Sequence, residues 1–505
     1  LALSDKPEDH YFHVLVSLKN QLDIAAWEQQ PEQRNASSRE QKNAALINAL
    51  QSKTAISQPR ILDWMQSANG VDHASIKSYW IANVIELKAK ATFIAELSQH
   101  PEIDWIESFP EMEIENYKST QTLAAPATTS IAPSLDAINA RALWRLGYTG
   151  YGRKVLIIDS GQEYNHPALR TQFAYNYGSL SSTYRSSIVG DLCGDHGTAV
   201  ASVAVGLDRL TRDTIGPAFN ALWMGAPAPF RNPGTGEICF LEGTEKSSFE
   251  QMQWALNPDG NPNTSSDIPD VINCSWGNGN TAEECNSVFR NVIQSLDAAG
   301  VAIVFAAGNT GPTVGSVKFP GSLNVDLVVP MSIGSVDGNT ATFPVSDFSS
   351  RGPSACGRDG SFLIKPEVVA PGERIRSAAL EGGYSVFDGT SFSAPYVSGA
   401  ILLLKEAFPK LSGRQLALAL YNSAKDLGPV GEDNDYGKGM INVGAAYNWL
   451  ISQGNQPTAP VRATNDVIHI QSTPRVYGCD SKANFEVSFE NSGADTLRSM
   501  DIIIR

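Results

Sequence analysis

A serine hydroxyl is a weak nucleophile near neutral pH unless a neighbouring base takes its proton, and an imidazole serves best when a carboxylate fixes its tautomer. The sequence offers such a set in three separate motifs. Asp159 closes Lys154-Val-Leu-Ile-Ile-Asp159-Ser-Gly161, His196 lies in Gly194-Asp-His-Gly-Thr-Ala-Val-Ala-Ser202, and Ser391 lies in Asp388-Gly-Thr-Ser-Phe-Ser-Ala-Pro395. Asn309, at the end of Ala306-Ala-Gly-Asn309, adds a side-chain amide of the kind that steadies an oxyanion. Taken singly, each has a plainer reading. An acid before Ser-Gly is ordinary turn chemistry, a lone histidine is usually structural, and Ser391 at the mouth of the apolar helix Tyr396–Phe408 suits an N-cap. Gly197, beside the imidazole, would let a second stretch of backbone come close. Phe392 and Ser393 follow Ser391, so the G-x-S-x-G nucleophile elbow of lipases and esterases is absent.

Short, continuous apolar runs alternate with helical stretches over residues 135–453, which predicts a parallel sheet buried on both faces. The clearest strands are Val155–Ile158, Val271–Asn273 and Val301–Ala307. Chemistry in open α/β sheets gathers at the carboxyl ends of the strands, and these runs end at Asp159, at Ser275 with Gly277, and at Asn309. Residues 1–117 read as a small α+β domain: strand Tyr11–Leu18, helices Arg39–Leu50 and Arg60–Ser67, strand Tyr79–Leu87, helix Ala91–Ser98 and strand Ile103–Phe109. Residues 118–134, rich in Ser, Thr, Ala and Pro, read as a linker or extended arm. Residues 460–505 alternate like antiparallel strands (Val467–Gln471, Asn484–Phe489, Ser499–Ile504) and read as part of a β-rich domain cut midway.

The chain has 505 residues, enough for about three domains. Its 42% hydrophobic and 18% charged residues suit a folded, loop-rich protein. The net charge of −15 repels phosphate backbones and argues against nucleic acid as a partner. The longest apolar run, Ala400–Leu404, stops at Lys405, far short of a membrane span. The chain opens Leu-Ala-Leu-Ser without Met, so the native start and any signal peptide are expected to lie outside it. Its six cysteines are scattered without CxxC pairs, which leaves structural disulfides open and disfavours a thiolate metal site. Cys193, three residues before His196, and Cys239, in a Gly-rich insertion, are the favoured pair, and Cys274 reads as a packed thiol. The loop Asp259, Asn261, Asn263, Asp267, Asp270 begins like a calcium-binding D-x-N-x-N. It has Thr264 in place of the turn glycine and Asp270 in place of the final Glu, so a plain loop is the main expectation and structural calcium is left open.

The order Asp, then His-Gly-Thr, then Gly-Thr-Ser-x-Ser-Ala-Pro resembles the subtilisin-like serine proteases. The resemblance spans residues 137–450 and includes His166-Pro-Ala-Leu169, Asn273-Cys-Ser-Trp-Gly277, Ala306-Ala-Gly-Asn309 and Lys365-Pro-Glu-Val-Val-Ala-Pro-Gly372. It implies an α/β fold with a parallel-sheet catalytic domain. It also implies a serine endopeptidase acting through an acyl-enzyme, secreted or at the cell surface, and needing no cofactor for its chemistry. Asp159, His196 and Ser391 would be the triad, and Asn309 with the Ser391 backbone N–H the oxyanion hole. Residues 76–115 resemble the second half of a subtilisin-type inhibitory propeptide, with Trp105-Ile-Glu107 in its last strand. That likeness implies a zymogen whose own N-terminal domain is an intramolecular inhibitor, cut near Glu113, Ile114, Glu115, Asn116 and Tyr117. The alternative is a catalytically silent binding protein on a protease scaffold, its prodomain permanently attached.

In that family the pocket for the residue before the scissile bond is walled by the segments matching Ser275-Trp276-Gly277 and Ala307-Gly308-Asn309, and by the residue before an aromatic-Pro-Gly turn. Here that residue is Lys318, before Phe319-Pro-Gly321. Two outcomes stay open: the lysine bends out to solvent and leaves an apolar pocket, or it recruits an acidic substrate side chain.

Overall fold

Leu46, Ile47, Leu50, Ile61 and Met65 recur at helical spacing and bury one side of a single helix, α1 (Arg39–Ser67), begun by a Ser38 cap onto the Gln41 N–H. The sequence suggested two helices flanking Pro59. The helix instead runs through the proline, because the apolar stripe continues on both sides of it and Gln58, next to it, donates its amide to Asn83 Oδ1 (3.0 Å) and the Val84 carbonyl (3.2 Å). The computed structural model describes residues 7–34, 36, 38–110, 112–114, 117–123, 131–185, 194–228, 230–231, 238–239, 247–279, 285–460, 468–475 and 484–491.

In the N-terminal domain, β1 (Tyr11–Leu18), β2 (Val71–Tyr79), β3 (Val84–Lys90) and β4 (Ile103–Ser108) form an antiparallel sheet in the order β2-β3-β1-β4. Val14, Val16 and Leu18 from β1 pack with Ile85 and Leu87 from β3, with Ile61 and Met65 from α1, and with Phe93, Ile94 and Leu97 from α2 (Ala91–Leu97). The expected strand Tyr79–Leu87 is in fact the turn of a hairpin with strand on either side. Asn83 takes a positive φ of 44°, and the Trp80 and Ile81 N–H groups donate outward to Gln253 of the larger domain. The linker also holds more structure than expected: residues 118–123 form β5 (Lys118–Leu123).

The larger domain is built on β6 (Lys154–Asp159), β7 (Leu222–Pro227), β8 (Val271–Cys274), β9 (Ala302–Ala306), β10 (Met331–Val336) and β11 (Val368–Pro371). All neighbours are parallel, in the order β11-β10-β9-β8-β6-β7. Residues of β8, β9 and β10 are buried throughout, as the continuous apolar runs required. A second sheet joins β12 (Ile375–Ala378), β13 (Tyr384–Asp388) and β5, with β5 running antiparallel to β13. Across the main sheet lie α3 (His196–Val205) and the fully buried α6 (Thr390–Ala407), numbered after α4 (Ser248–Ala255) and α5 (Phe289–Ala298). Helices α3 and α6 approach so closely that a methyl group on Gly399 would stand 2.7 Å from the Ala204 carbonyl oxygen.

Cys285 and Cys356 form a disulfide, and Cys274 is a free, buried thiol. The favoured Cys193–Cys239 pair falls outside the described residues and side chains. In the tail, Ile468–Arg475 pairs antiparallel with Asn484–Asn491, and the expected strand Ser499–Ile504 lies outside the described residues. Among the described residues no helix is long and apolar enough to cross a membrane.

Candidate active site

The carboxyl end of β6 delivers Asp159 into full burial, and α3 begins at His196 directly above it. His196 Nδ1 and Asp159 Oδ1 are 2.8 Å apart. The same carboxylate oxygen accepts the Ser160 N–H at 2.7 Å, and the Ser160 hydroxyl accepts the Gly197 N–H at 3.1 Å. These bonds tie the start of α3 to the end of β6 and set the direction of the ring. With Nδ1 engaged by a carboxylate, Nε2 is the nitrogen left for proton transfer. It is buried and has no hydrogen-bond partner among the described residues.

Ser391 sits in the first turn of α6. Gly389, at φ 157°, is the cap of this helix, so the N-cap expected at Ser391 is displaced by two residues. Pro395 has no N–H to give the carbonyl four residues back, which is that of Ser391. The Ser275 hydroxyl supplies the bond instead, at 2.8 Å. Asn273 donates to Ser275 Oγ (2.9 Å) and accepts from Ser398 (2.9 Å), so a chain from β8 to the third turn of α6 fixes the Ser391 backbone. Sequence reasoning had Ser275 as a pocket wall and missed this role. The hint was the coincidence of Pro395 with a serine at a strand end. The Ser391 hydroxyl is 3.4 Å from the Ser275 carbonyl oxygen.

Asn309 follows β9. Its Oδ1 accepts both the Thr390 N–H (2.9 Å) and the Thr390 hydroxyl (2.8 Å), and Thr390 in turn accepts the Gly308 N–H at 3.1 Å. With Oδ1 so held, Nδ2 lies beside the turn into α6: a methyl group on Gly389 would be 3.2 Å from it.

Those of the remaining predicted residues that are described gather along one groove. Glu113 and Gly277 exchange both backbone bonds (2.8 and 3.0 Å), so the segment after β4 lies antiparallel along residues 275–277. Met112 and Ile114, on either side, are buried in the larger domain's core. Trp276 donates its indole N–H to the Ile158 carbonyl at 2.9 Å, which locks the groove wall onto β6. Lys318 donates its backbone N–H to Ala307 (2.9 Å) and lies against Gly277 and Gly308. The Tyr117 ring lies 4.8 Å from the His196 ring, tilted 52° to it, contacts Phe387 and Phe392, and donates its hydroxyl to Asp195 at 2.9 Å. Burial, then the charges of Asp195 and Asp159, push its phenol well above the usual range, so it stays a neutral donor. Burial, with the Asp159 charge adding to it, likewise holds the Cys274 thiol protonated beneath the site. Glu115 and Asn116 lie outside the described residues.

The N-terminal domain is anchored beside this groove. Glu107 accepts from Ser287 Oγ (2.9 Å) and the Val288 N–H (3.2 Å) at the start of α5, and Tyr79 shares a 2.9 Å bond with the α4 cap Ser247. The suspected calcium loop closes on itself: Asp259 accepts the Asn261 N–H and the Thr264 hydroxyl, and Asp267 accepts the Asp259 N–H. Among the described residues no group of three or more His, Cys, Asp or Glu is arranged to hold a metal ion.

The model of the subtilase family matches residues 150–439 of the chain. Bacillopeptidase F of Bacillus subtilis (strain 168) is 31% identical over 445 residues, covering 80% of this chain and 28% of that protein. Subtilisin E of the same strain is 27% identical over 410 residues, covering 79% of this chain and 89% of its own length. Subtilisin of Bacillus pumilus is 30% identical over 327 residues, covering 63% and 98%. The chain thus spans a little over a quarter of Bacillopeptidase F and most of the subtilisins.

Proposed function

The chain belongs to the subtilase family, and from that premise we propose that it is a secreted serine endopeptidase made as a zymogen. The observation that carries this reading is the 2.8 Å bond between His196 and Asp159, with the His196 ring 5.7 Å from that of Phe392, the residue after Ser391. In the reaction, Ser391 Oγ attacks the peptide carbonyl while His196 Nε2 takes its proton, and Asp159 stabilises the imidazolium that forms. Asn309 Nδ2 and the Ser391 N–H receive the developing oxyanion. The imidazolium then protonates the leaving amine, and water repeats the sequence in reverse to release the acyl group. No cofactor enters these steps.

Residues 1–117 act as the inhibitor. The strand pairing of Glu113 with Gly277 occupies the acyl side of the groove, Tyr117 covers His196, and β5 takes the edge of β13 on the leaving side. The chain therefore enters its own site in the direction of a substrate, and the first cut is self-inflicted between about Glu113 and Lys118. A fluorophosphonate probe tests the reading: after removal of the N-terminal domain it should label Ser391. A folded, prodomain-free protein that resists labelling would make the chain a silent binding scaffold instead.

A further inference from the structure

We infer that the seam between the two domains is a binding site for a multivalent oxyanion, shared by Arg39 and Asn43 from one side and Lys405 and Lys410 from the other. A cavity of about 580 Å³ lies there. The start of α1 lines it with Ser38, Arg39, Lys42 and Asn43. From the larger domain come Lys405 near the end of α6, Lys410, and the start of α7 (Gly413–Asn422), where the Ser412 cap accepts the Gln415 N–H. Two helices thus turn their electropositive N-terminal ends toward one space. The end of α5 also reaches it, but there the Gly300 carbonyl is taken by the Gly413 N–H at 2.9 Å. Four cations and no Asp or Glu stand among the lining residues.

Asn43 is the independent sign of a polar ligand. It is 1% exposed, and among the described residues neither its Oδ1 nor its Nδ2 has a hydrogen-bond partner. Buried side-chain amides are nearly always paired, so one that lines a cavity with both groups unspent is suited to an occupant that can use them. Arg39 Nε, on the same wall, is likewise buried and unpaired. The cations set the sign of the ligand's charge. Arg39 already holds Asp270 (3.0 Å) and Lys42 holds Glu28 (2.9 Å). Lys405, 4% exposed, is bonded to the Leu411 carbonyl at 2.5 Å, and neither it nor Lys410 has a carboxylate partner among the described residues. Burial drives the Lys405 pKa down to about 8, and the charge of Asp270 offsets this only in part. A buried ammonium with N–H groups to spare gains most from an anion, and one with several oxygens reaches the Asn43 amide as well. Each domain supplies half of the site, so the ligand binds the docked arrangement and holds it together. The site stands apart from the protease reading, whereas its use as a clamp on the inhibitory domain rests on that reading.

Isothermal titration calorimetry of the full-length Ser391→Ala chain with sodium phosphate, sulfate or citrate, at an ionic strength fixed with sodium chloride, tests the site. Saturable binding of one equivalent is expected, and the tighter of phosphate and citrate tells an inorganic oxyanion from a polycarboxylate. Lys405→Met and Asn43→Leu should each weaken binding by about tenfold or more, while Lys88→Met, on the exposed surface of β3, should leave it unchanged. Lys410→Ala, an exposed change that disturbs no packing, should weaken it about twofold to fivefold and serves if the buried variants fail to fold. In the parent enzyme after self-cleavage, anion at about 100 times its Kd should make dissociation of the N-terminal domain on the order of a hundredfold less favourable. No saturable binding in any of the three salts, binding unmoved by Lys405→Met and Lys410→Ala, or binding retained once the N-terminal domain has been released, overturns the inference. Stabilisation by sulfate that ignores these variants is a general salt effect and counts against it in the same way. A chain that binds the anion but never cuts itself leaves the site standing and overturns the protease reading.

Discussion

Gly197→Ala is a one-carbon perturbation next to the proposed base, and the structure fixes what it must do. The added methyl would lie 2.2 Å from the Gly161 carbonyl oxygen, whereas such contacts need about 3.0 Å, so one backbone must yield by roughly 0.8 Å. Neither side is a flexible side chain. The oxygen belongs to the turn after Asp159, and the methyl would sit on the residue after His196. The displacement therefore falls on the 2.8 Å His196–Asp159 bond and on the 3.1 Å bond from the Gly197 N–H to Ser160. A misplacement of about 1 Å in a catalytic group costs on the order of a hundredfold in rate, and overpacking a tight site costs about 1–3 kcal/mol of stability. We expect kcat/KM of Gly197→Ala, matured by a trace of parent enzyme, to fall about a hundredfold with the fold intact by circular dichroism. A variant within about threefold of the parent would refute the claim that this close approach sets the position of the imidazole.

Asn309→Ala should lower kcat by about 10²–10³ with little change in KM, since its Nδ2 is proposed to act on the oxyanion, and steady-state kinetics checks this. Replacing both Cys285 and Cys356 by serine opens a loop of 71 residues and should destabilise the Ser391→Ala protein by up to about 4 kcal/mol on the chain-entropy model, read by denaturant unfolding. Glu86 is buried, yet its bonds from His13 (3.0 Å) and Tyr79 (2.5 Å) and the nearby Lys77 charge outweigh that burial and hold its carboxyl below 4.5. A depressed folded pKa contributes stability above the unfolded value, and this is lost as pH falls through the folded one. Glu86→Gln should therefore weaken the N-terminal domain near neutral pH and flatten its loss of stability below pH 4.5, as followed by unfolding of Ser391→Ala.

The parts of the site visible in the sequence were those that depend on local pattern. Asp159, Ser275 and Asn309 stand where the apolar runs end, because a strand buried on both faces must be apolar until it leaves the sheet. Gly197 announced a close backbone approach, and Gly161 is what comes close. What stayed hidden depends on distant partners. The Cys285–Cys356 bridge joins loops that only the fold brings together. The Asn273–Ser398–Ser275 chain needs β8 laid against α6 before its spacing has meaning. Pro59 would end an isolated helix, and only burial on both sides of it carries α1 through. The turn inside Tyr79–Leu87 was missed because apolar residues there serve the contact with the larger domain rather than a strand face.

The central claim is that the chain cuts itself with Ser391, and intact-mass spectrometry of the purified protein over time tests it most directly. The account predicts that the parent chain converts to two fragments joined between Glu113 and Lys118, while Ser391→Ala remains a single folded chain of unchanged mass. Self-processing that persists at the same position in purified Ser391→Ala, or a parent chain that never converts, would contradict it.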